Sequence, residues 1–226
     1  MMNEVKTTFE QKGHQLLLLT LMLMIFSSPF VSQNPAISWL GSIVLMTVLL
    51  AAAYTASNYG GSFRVALLLG VPALFSQVAV FAVDNFWLET LRYSATALFL
   101  FWVCFLLLKD IAVRIHTVTL ELIVGSVNVY LMLGISFALV FALIEHLQPG
   151  SFTGIEDFAF MPNQLLTFLY YSFITMSTLG YGDISPVSPH AMTASYVLAI
   201  LGQLYLAILV ARLVSLYLGR PGNRDY

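Results

Sequence analysis

Charge is what this sequence has least of. Only 9% of its 226 residues are Asp, Glu, Lys or Arg, where a soluble domain carries about a quarter. Apolar residues make up 59% and mean hydropathy is +0.88. Folded in water, such a chain would expose large apolar patches, which argues against a water-soluble globular enzyme. Cysteine is nearly absent: the lone Cys104 sits in an apolar run, so there is neither a disulfide framework nor a cysteine metal cluster. The net charge of −2 and the lack of any basic block argue against a nucleic-acid partner. No apolar run alternates at period two, as a barrel strand would, and no internal repeat marks an inverted-repeat transporter. His14, His146 and His190 stand near run boundaries without metal-ligand spacing.

What is present is a series of long apolar runs, and the chain reads as an integral membrane protein of the all-α class. A helix needs roughly 20 apolar residues to cross about 30 Å of hydrocarbon. Six candidate spans emerge, at about 15–31, 37–56, 64–83, 92–109, 119–145 and 191–218, with Pro72 predicted to kink the third. If the N-terminus is cytoplasmic, Lys6, Lys12, Arg64, Lys109, Arg114, Arg212, Arg220 and Arg224 fall inside and Arg92 alone falls outside. This asymmetry places both termini in the cytoplasm of a cell-membrane protein and the His146–His190 stretch on the outer side. A signal peptide is the alternative for the first run, with Lys6 and Lys12 as its charged region; "SSPFVSQ" makes a poor cleavage site.

Between the last two spans the sequence changes character. "LQPGSFTGIEDFAF", with Glu156 and Asp157, reads as an outer turret. "MPNQLLTFLYYSFITMST" then opens with Pro162 at a plausible first helical position, predicting a helix at about 162–177 that is too short to span and so re-enters. Thr178-Leu179-Gly180-Tyr181-Gly182-Asp183 comes at once after it. Non-helical backbone at membrane depth is permitted only where it is buried in protein or lines a water-filled cavity. Gly180 and Gly182 allow φ > 0 at alternate residues, which lets successive carbonyl oxygens point the same way. Rings of such carbonyls can replace a cation's hydration shell.

"LYYSFITMSTLGYGD" closely resembles the pore helix and selectivity filter of the tetrameric potassium-channel family, whose usual filter is Thr-Val-Gly-Tyr-Gly followed by Asp. The resemblance is strong over about residues 120–218 and only architectural over 1–115. It implies potassium ions as the permeant ligand and no other cofactor. Coordination would come from the Thr178, Leu179, Gly180 and Tyr181 carbonyls, with Asp183 at the outer mouth. It also implies the Tyr181 ring braced against Tyr170 and Tyr171. Leu179 replaces the commoner Val, and Ile174 stands where some relatives carry a Glu that partners the Asp. Four contributors are needed for a carbonyl ring and this chain has one filter, so a homotetramer in the lipid bilayer is implied.

In the last run Gly202 marks either a hinge or close helix packing. Gln203 is the strongly polar residue deep in that helix, and Leu206, Val210 and Val214 share its face. If Gln203 faces a water-filled cavity, the three apolar residues form a constriction that gates by dewetting. The chain divides into a four-helix membrane domain at 1–116 and a pore domain at 117–226. A voltage sensor needs Arg or Lys at every third position of its fourth helix, and none lies between Tyr93 and Leu108. The acids Asp84 and Glu89 read as solvated residues of an outer loop, and Lys109, Asp110, Arg114 and His116 as an inner linker. The tail "GRPGNRDY" is too short for a cytoplasmic regulatory domain. No paired intramembrane acids or Ser–His couple supports an enzyme. A non-selective cation pore and a non-conducting membrane assembly subunit are the alternatives.

Overall fold

A computed structural model of the chain describes residues 2–32, 39–57, 59, 63–80, 82–83, 85–113, 120–158 and 164–218. Almost all of them are helical. The long helices are α1 (Met2–Ser32), α2 (Trp39–Ser57), α3 (Phe63–Ala79), α4 (Phe86–Val113), α5 (Leu120–Leu147) and α7 (Pro189–Leu218). The shorter α6 (Gln164–Met176) lies between two-residue strands, β1 (Phe152–Thr153) and β2 (Ser185–Pro186), which pair antiparallel with Phe152 opposite Pro186. Helices are what an apolar chain must form in lipid, because each satisfies its own backbone groups. Among the described residues, four helices are long and apolar enough to cross a membrane: Leu40–Ser57, Phe86–Val113, Glu121–Leu147 and Pro189–Arg212. The apolar stretches Lys12–Ser27 and Arg64–Ala79 are shorter, the second with Pro72 inside it.

α5 is the centre of the molecule. α4 runs along it, α1 packs beside it, and α6 and α7 cover its other flank, while α2 and α3 complete the outer ring against α1 and α4. Phe99, Leu100 and Leu107 from α4 and Met132, Ile135, Leu139 and Phe141 from α5 are fully buried and belong to one hydrophobic core. Behind α6 an aromatic cluster joins three elements: Phe141 packs edge-on to Tyr171 at 5.0 Å, and Phe152 sits 4.9 Å from Phe168.

Polar side chains buried among these helices fasten one to the next. Gln77 of α3 donates to the Thr96 hydroxyl of α4 at 3.2 Å. Asn128 of α5 donates to the His14 carbonyl of α1 at 2.9 Å, and Thr55 of α2 donates to the neighbouring Gly13 carbonyl at 3.2 Å. Each such bond contributes about 0.6 kcal/mol in lipid, so their value lies in fixing register.

Two readings of the sequence need correction. Glu89 is not a loop residue: α4 begins at Phe86, six residues before its apolar run, and Glu89 lies in its first turn paired with Arg92 at 3.2 Å. Lys109 and Asp110 likewise belong to the last turns of α4, not to a linker. The helix thus extends past its apolar stretch at both ends, with Glu89 and Arg92 near one end and Lys109 and Asp110 near the other. Asp84, Arg114, His116, Pro162 and the tail from Gly219 lie outside the described residues.

Candidate functional site

A short helix, α6, runs from Gln164 to Met176, within the range expected at about 162–177. Tyr171 turns inward, its ring in the aromatic cluster and its hydroxyl 2.8 Å from the Ser195 hydroxyl of α7. Ser172 donates to the Gly134 carbonyl of α5 at 2.6 Å. α6 is thus pinned between α5 and α7, and its C-terminal end is a fixed platform for residues 177–183.

At that end the backbone leaves the helix in a particular way. Ser177 N–H still reaches the Phe173 carbonyl at 3.0 Å, but the N–H groups of Leu179 and Gly180 both converge on the Ile174 carbonyl, at 2.9 and 3.1 Å. The described peptide bonds are all trans. In a trans peptide one residue's carbonyl points opposite to the next residue's N–H. The Thr178 and Leu179 carbonyls are therefore both directed away from α6, on one side of the chain. That requires backbone of alternating hand. φ is +62° at Thr178, +52° at Gly180 and +79° at Gly182. The two glycines take this conformation without steric penalty. Thr178 is the one non-glycine among the described residues with positive φ, and as a β-branched residue it is a genuine outlier.

The segment's C-terminal end is held by a carboxylate. Asp183 accepts a hydrogen bond from the Tyr170 hydroxyl of α6 and another at 3.0 Å from its neighbour's N–H, Ile184. Within the chain the Tyr170 hydroxyl goes to Asp183 and the Tyr171 hydroxyl to Ser195. The Tyr181 ring is 67% exposed within the single chain. The missing acid at Ile174 is replaced, one helical turn earlier on the same face, by Tyr170.

Beyond Asp183 the chain is tied down through the loop that follows α5. Glu145, 9% exposed at the end of α5, accepts from the backbone N–H groups of Gly150, Ser151 and Phe152 at 2.8, 2.9 and 3.2 Å. The Ser151 carbonyl accepts in turn from Val187 and Ser188 N–H at 2.8 and 3.2 Å. Sequence reasoning overlooked Glu145. Its signal was an acid closing an apolar helix ahead of a Pro-Gly turn.

At the start of the segment, Gly202 of α7 is buried against α6 rather than standing free. A Cβ there would lie 2.6 Å from the Met176 carbonyl oxygen and 2.7 Å from Met176 Cγ. Gly202 thus seats the end of α6. Next to it the Gln203 amide reaches toward the Thr178 hydroxyl, 3.5 Å away. The structure brings Gln203 to the base of the 178–183 segment, and Leu206, Val210 and Val214 continue along α7 with exposed side chains in the single chain.

Residues 127–218, from mid-α5 to the end of α7, match the family model described as an ion channel. This supports an ion-channel family. The match spans 92 of the 226 residues, and so takes in the whole 178–183 segment with its supports on α6 and α7 and none of α1 to α4. A multi-pass membrane protein of ion-channel type accounts for the apolar helices, and the family points to ion transport rather than to catalysis.

Proposed function

We propose that this protein is a potassium-selective channel, four copies of which surround one conduction path. Residues 178–183 are its selectivity filter: the Thr178, Leu179, Gly180 and Tyr181 carbonyls coordinate dehydrated K+, with Gly182 completing the alternation and Asp183 at the mouth. The observation that carries this reading is the double anchoring of the Leu179 and Gly180 N–H groups on one carbonyl, which directs two successive carbonyls to the same side. Carbonyls presented in that way are the hard oxygen ligands with which potassium filters replace water. One chain supplies one such edge, so a closed ring needs further copies, and the exposed Tyr181 ring finds its packing on a neighbour. Gln203 lines the cavity beneath the filter, with Leu206, Val210 and Val214 as the gate. Six helices span the cell membrane with both termini inside, as the Lys and Arg asymmetry supports. Residues 1–116 form a peripheral four-helix domain and 117–226 the pore domain.

Flux from liposomes holding the purified protein tests this. Potassium efflux blocked by barium, reversal potentials that follow the K+ gradient rather than Na+, and loss of selectivity in Gly180→Ala are expected. A Cβ at a φ of +52° is strained wherever it sits. Equal permeation of Na+ and K+ would leave a non-selective cation pore, and no flux would remove conduction altogether.

A further inference from the structure

Three cations gather at the end of the bundle where α2 turns into α3. Lys12 opens the apolar stretch of α1, Arg64 opens that of α3, and Lys109 stands near the end of α4. All three residues are exposed. Two hydrogen bonds bring them around one turn. The Thr55 hydroxyl, in the last turn of α2, donates at 3.2 Å to the carbonyl of Gly13, the neighbour of Lys12. The Tyr59 hydroxyl, in the turn itself, donates at 3.4 Å to Asp110, the neighbour of Lys109. Arg64 follows in the first turn of α3.

Among the described residues no acid forms an ion pair with Lys12, Arg64 or Lys109. The first turn of α3 holds no acid. Asp110 accepts from Tyr59, and Glu121 belongs to the first turn of α5. Like charges left together oppose the compact state, so an anion at this rim would stabilise it. The level of the cations says which anion. Each stands at the edge of an apolar stretch, at the depth where lipid headgroups lie. A Lys or Arg stem can follow apolar surface while its charge reaches a headgroup, and Tyr59 is an aromatic of the kind that sits at the membrane–water boundary.

We propose that Lys12, Arg64 and Lys109 form a docking site for the phosphoryl headgroups of anionic phospholipids in the inner leaflet. Bound lipid ties α1, α3 and α4 together at their common end. The inner placement rests on the orientation proposed above. The site gives the peripheral helices a role that ion conduction does not assign them: they read the charge of the surrounding lipid.

Thermal unfolding of the detergent-purified full chain, titrated with phosphatidylglycerol or with phosphatidylcholine of the same acyl chains, tests the rim without any need for conduction. Phosphatidylglycerol is expected to raise Tm about 3 °C or more above the phosphatidylcholine value. Lys12→Gln, Arg64→Gln and Lys109→Gln should each raise the phosphatidylglycerol needed for half of that rise roughly fivefold, and the triple variant should lose the rise. The cations are removed from three different helices, so one variant that fails to fold leaves the others to decide. Lys6→Gln, Arg220→Gln and Arg224→Gln together remove the same charge from near the termini and should leave the response intact. Equal responses to the two lipids, or an equal loss in that control, would overturn the site. A rise reproduced by millimolar inorganic phosphate would overturn lipid as the source of the anion. Labelling of Lys109→Cys by an impermeant maleimide added outside intact cells would overturn the inner-leaflet assignment and with it the proposed orientation, while the detergent titration would still report the rim.

Discussion

Replacing Gly202 by Ala tests whether the seat of α6 governs the site above it. The added Cβ would meet the Met176 carbonyl oxygen at 2.6 Å, where ordinary contact begins at 3.4 Å, so about 0.8 Å must be found. The obstacle is backbone at the C-terminal end of α6, and it cannot rotate aside as a side chain does. Overpacking of this kind costs about 1–3 kcal/mol, against about 1 kcal/mol that Ala gains over Gly in a helix. The net destabilisation is at most about 2 kcal/mol, which corresponds to a Tm lower by up to roughly 8 °C for a chain of this length. On the channel reading the functional effect should be larger, because Thr178 follows Met176 by two residues and a shift of about 0.8 Å would pass directly into the carbonyls proposed to coordinate the ion. Liposome flux and reversal potentials should show weakened K+ over Na+ selectivity along with the lower Tm. Met176→Ala added to Gly202→Ala removes the Cγ contact but not the carbonyl, and should restore little. A Gly202→Ala protein with unchanged Tm and selectivity, altered only in how often it opens, would refute the packing argument and make Gly202 a hinge.

Tyr170→Phe removes the hydroxyl that holds Asp183. A hydrogen bond to a charged group is worth about 1.5–3 kcal/mol, the lower end at this exposed position, and sustained potassium flux should decline faster than in wild type; an unchanged time course would dismiss Tyr170 as a brace. Glu145→Gln leaves one oxygen where the carboxylate's two now accept from three N–H groups, and should lower Tm by more than Gly202→Ala does, as thermal unfolding would read. Gln203→Leu should reduce both conductance and the affinity of a cavity blocker, and if single-channel recordings find neither changed, Gln203 does not face the pore.

The helices were legible because a chain in lipid can satisfy its backbone in few ways, and the apolar runs mark where it does so. α5 and α7 fall within two residues of the ranges the runs suggest, and α6 within two of the half-helix read from "MPNQLLTFLYYSFITMST". The left-handed glycines of the 178–183 segment were equally legible, since two glycines at alternate positions announce positive φ. Thr178 was not, because threonine gives no such signal and its conformation is imposed by the anchoring on Ile174. The partners of Asp183 and Glu145 were missed for a related reason: a tyrosine hydroxyl and three backbone N–H groups leave no trace in charge or periodicity. Gly202 carried two meanings in sequence, and its distance to Met176 favours close packing. The contact of Tyr59 with Asp110 depends on the turn after α2 meeting the end of α4, a tertiary fact that neither element encodes alone.

The positive φ of Thr178 has a consequence for the life of the newly made protein. An L-residue in this conformation costs roughly 1–2 kcal/mol, and residues 177–183 are exposed in the isolated chain. The segment therefore borrows its shape from α6 below and, on the channel reading, from sister copies alongside. A subunit just released into the bilayer holds a poorly supported filter edge, so it should carry no current until its sisters arrive. Biogenesis in that case protects the cell's ion gradients without a separate guard.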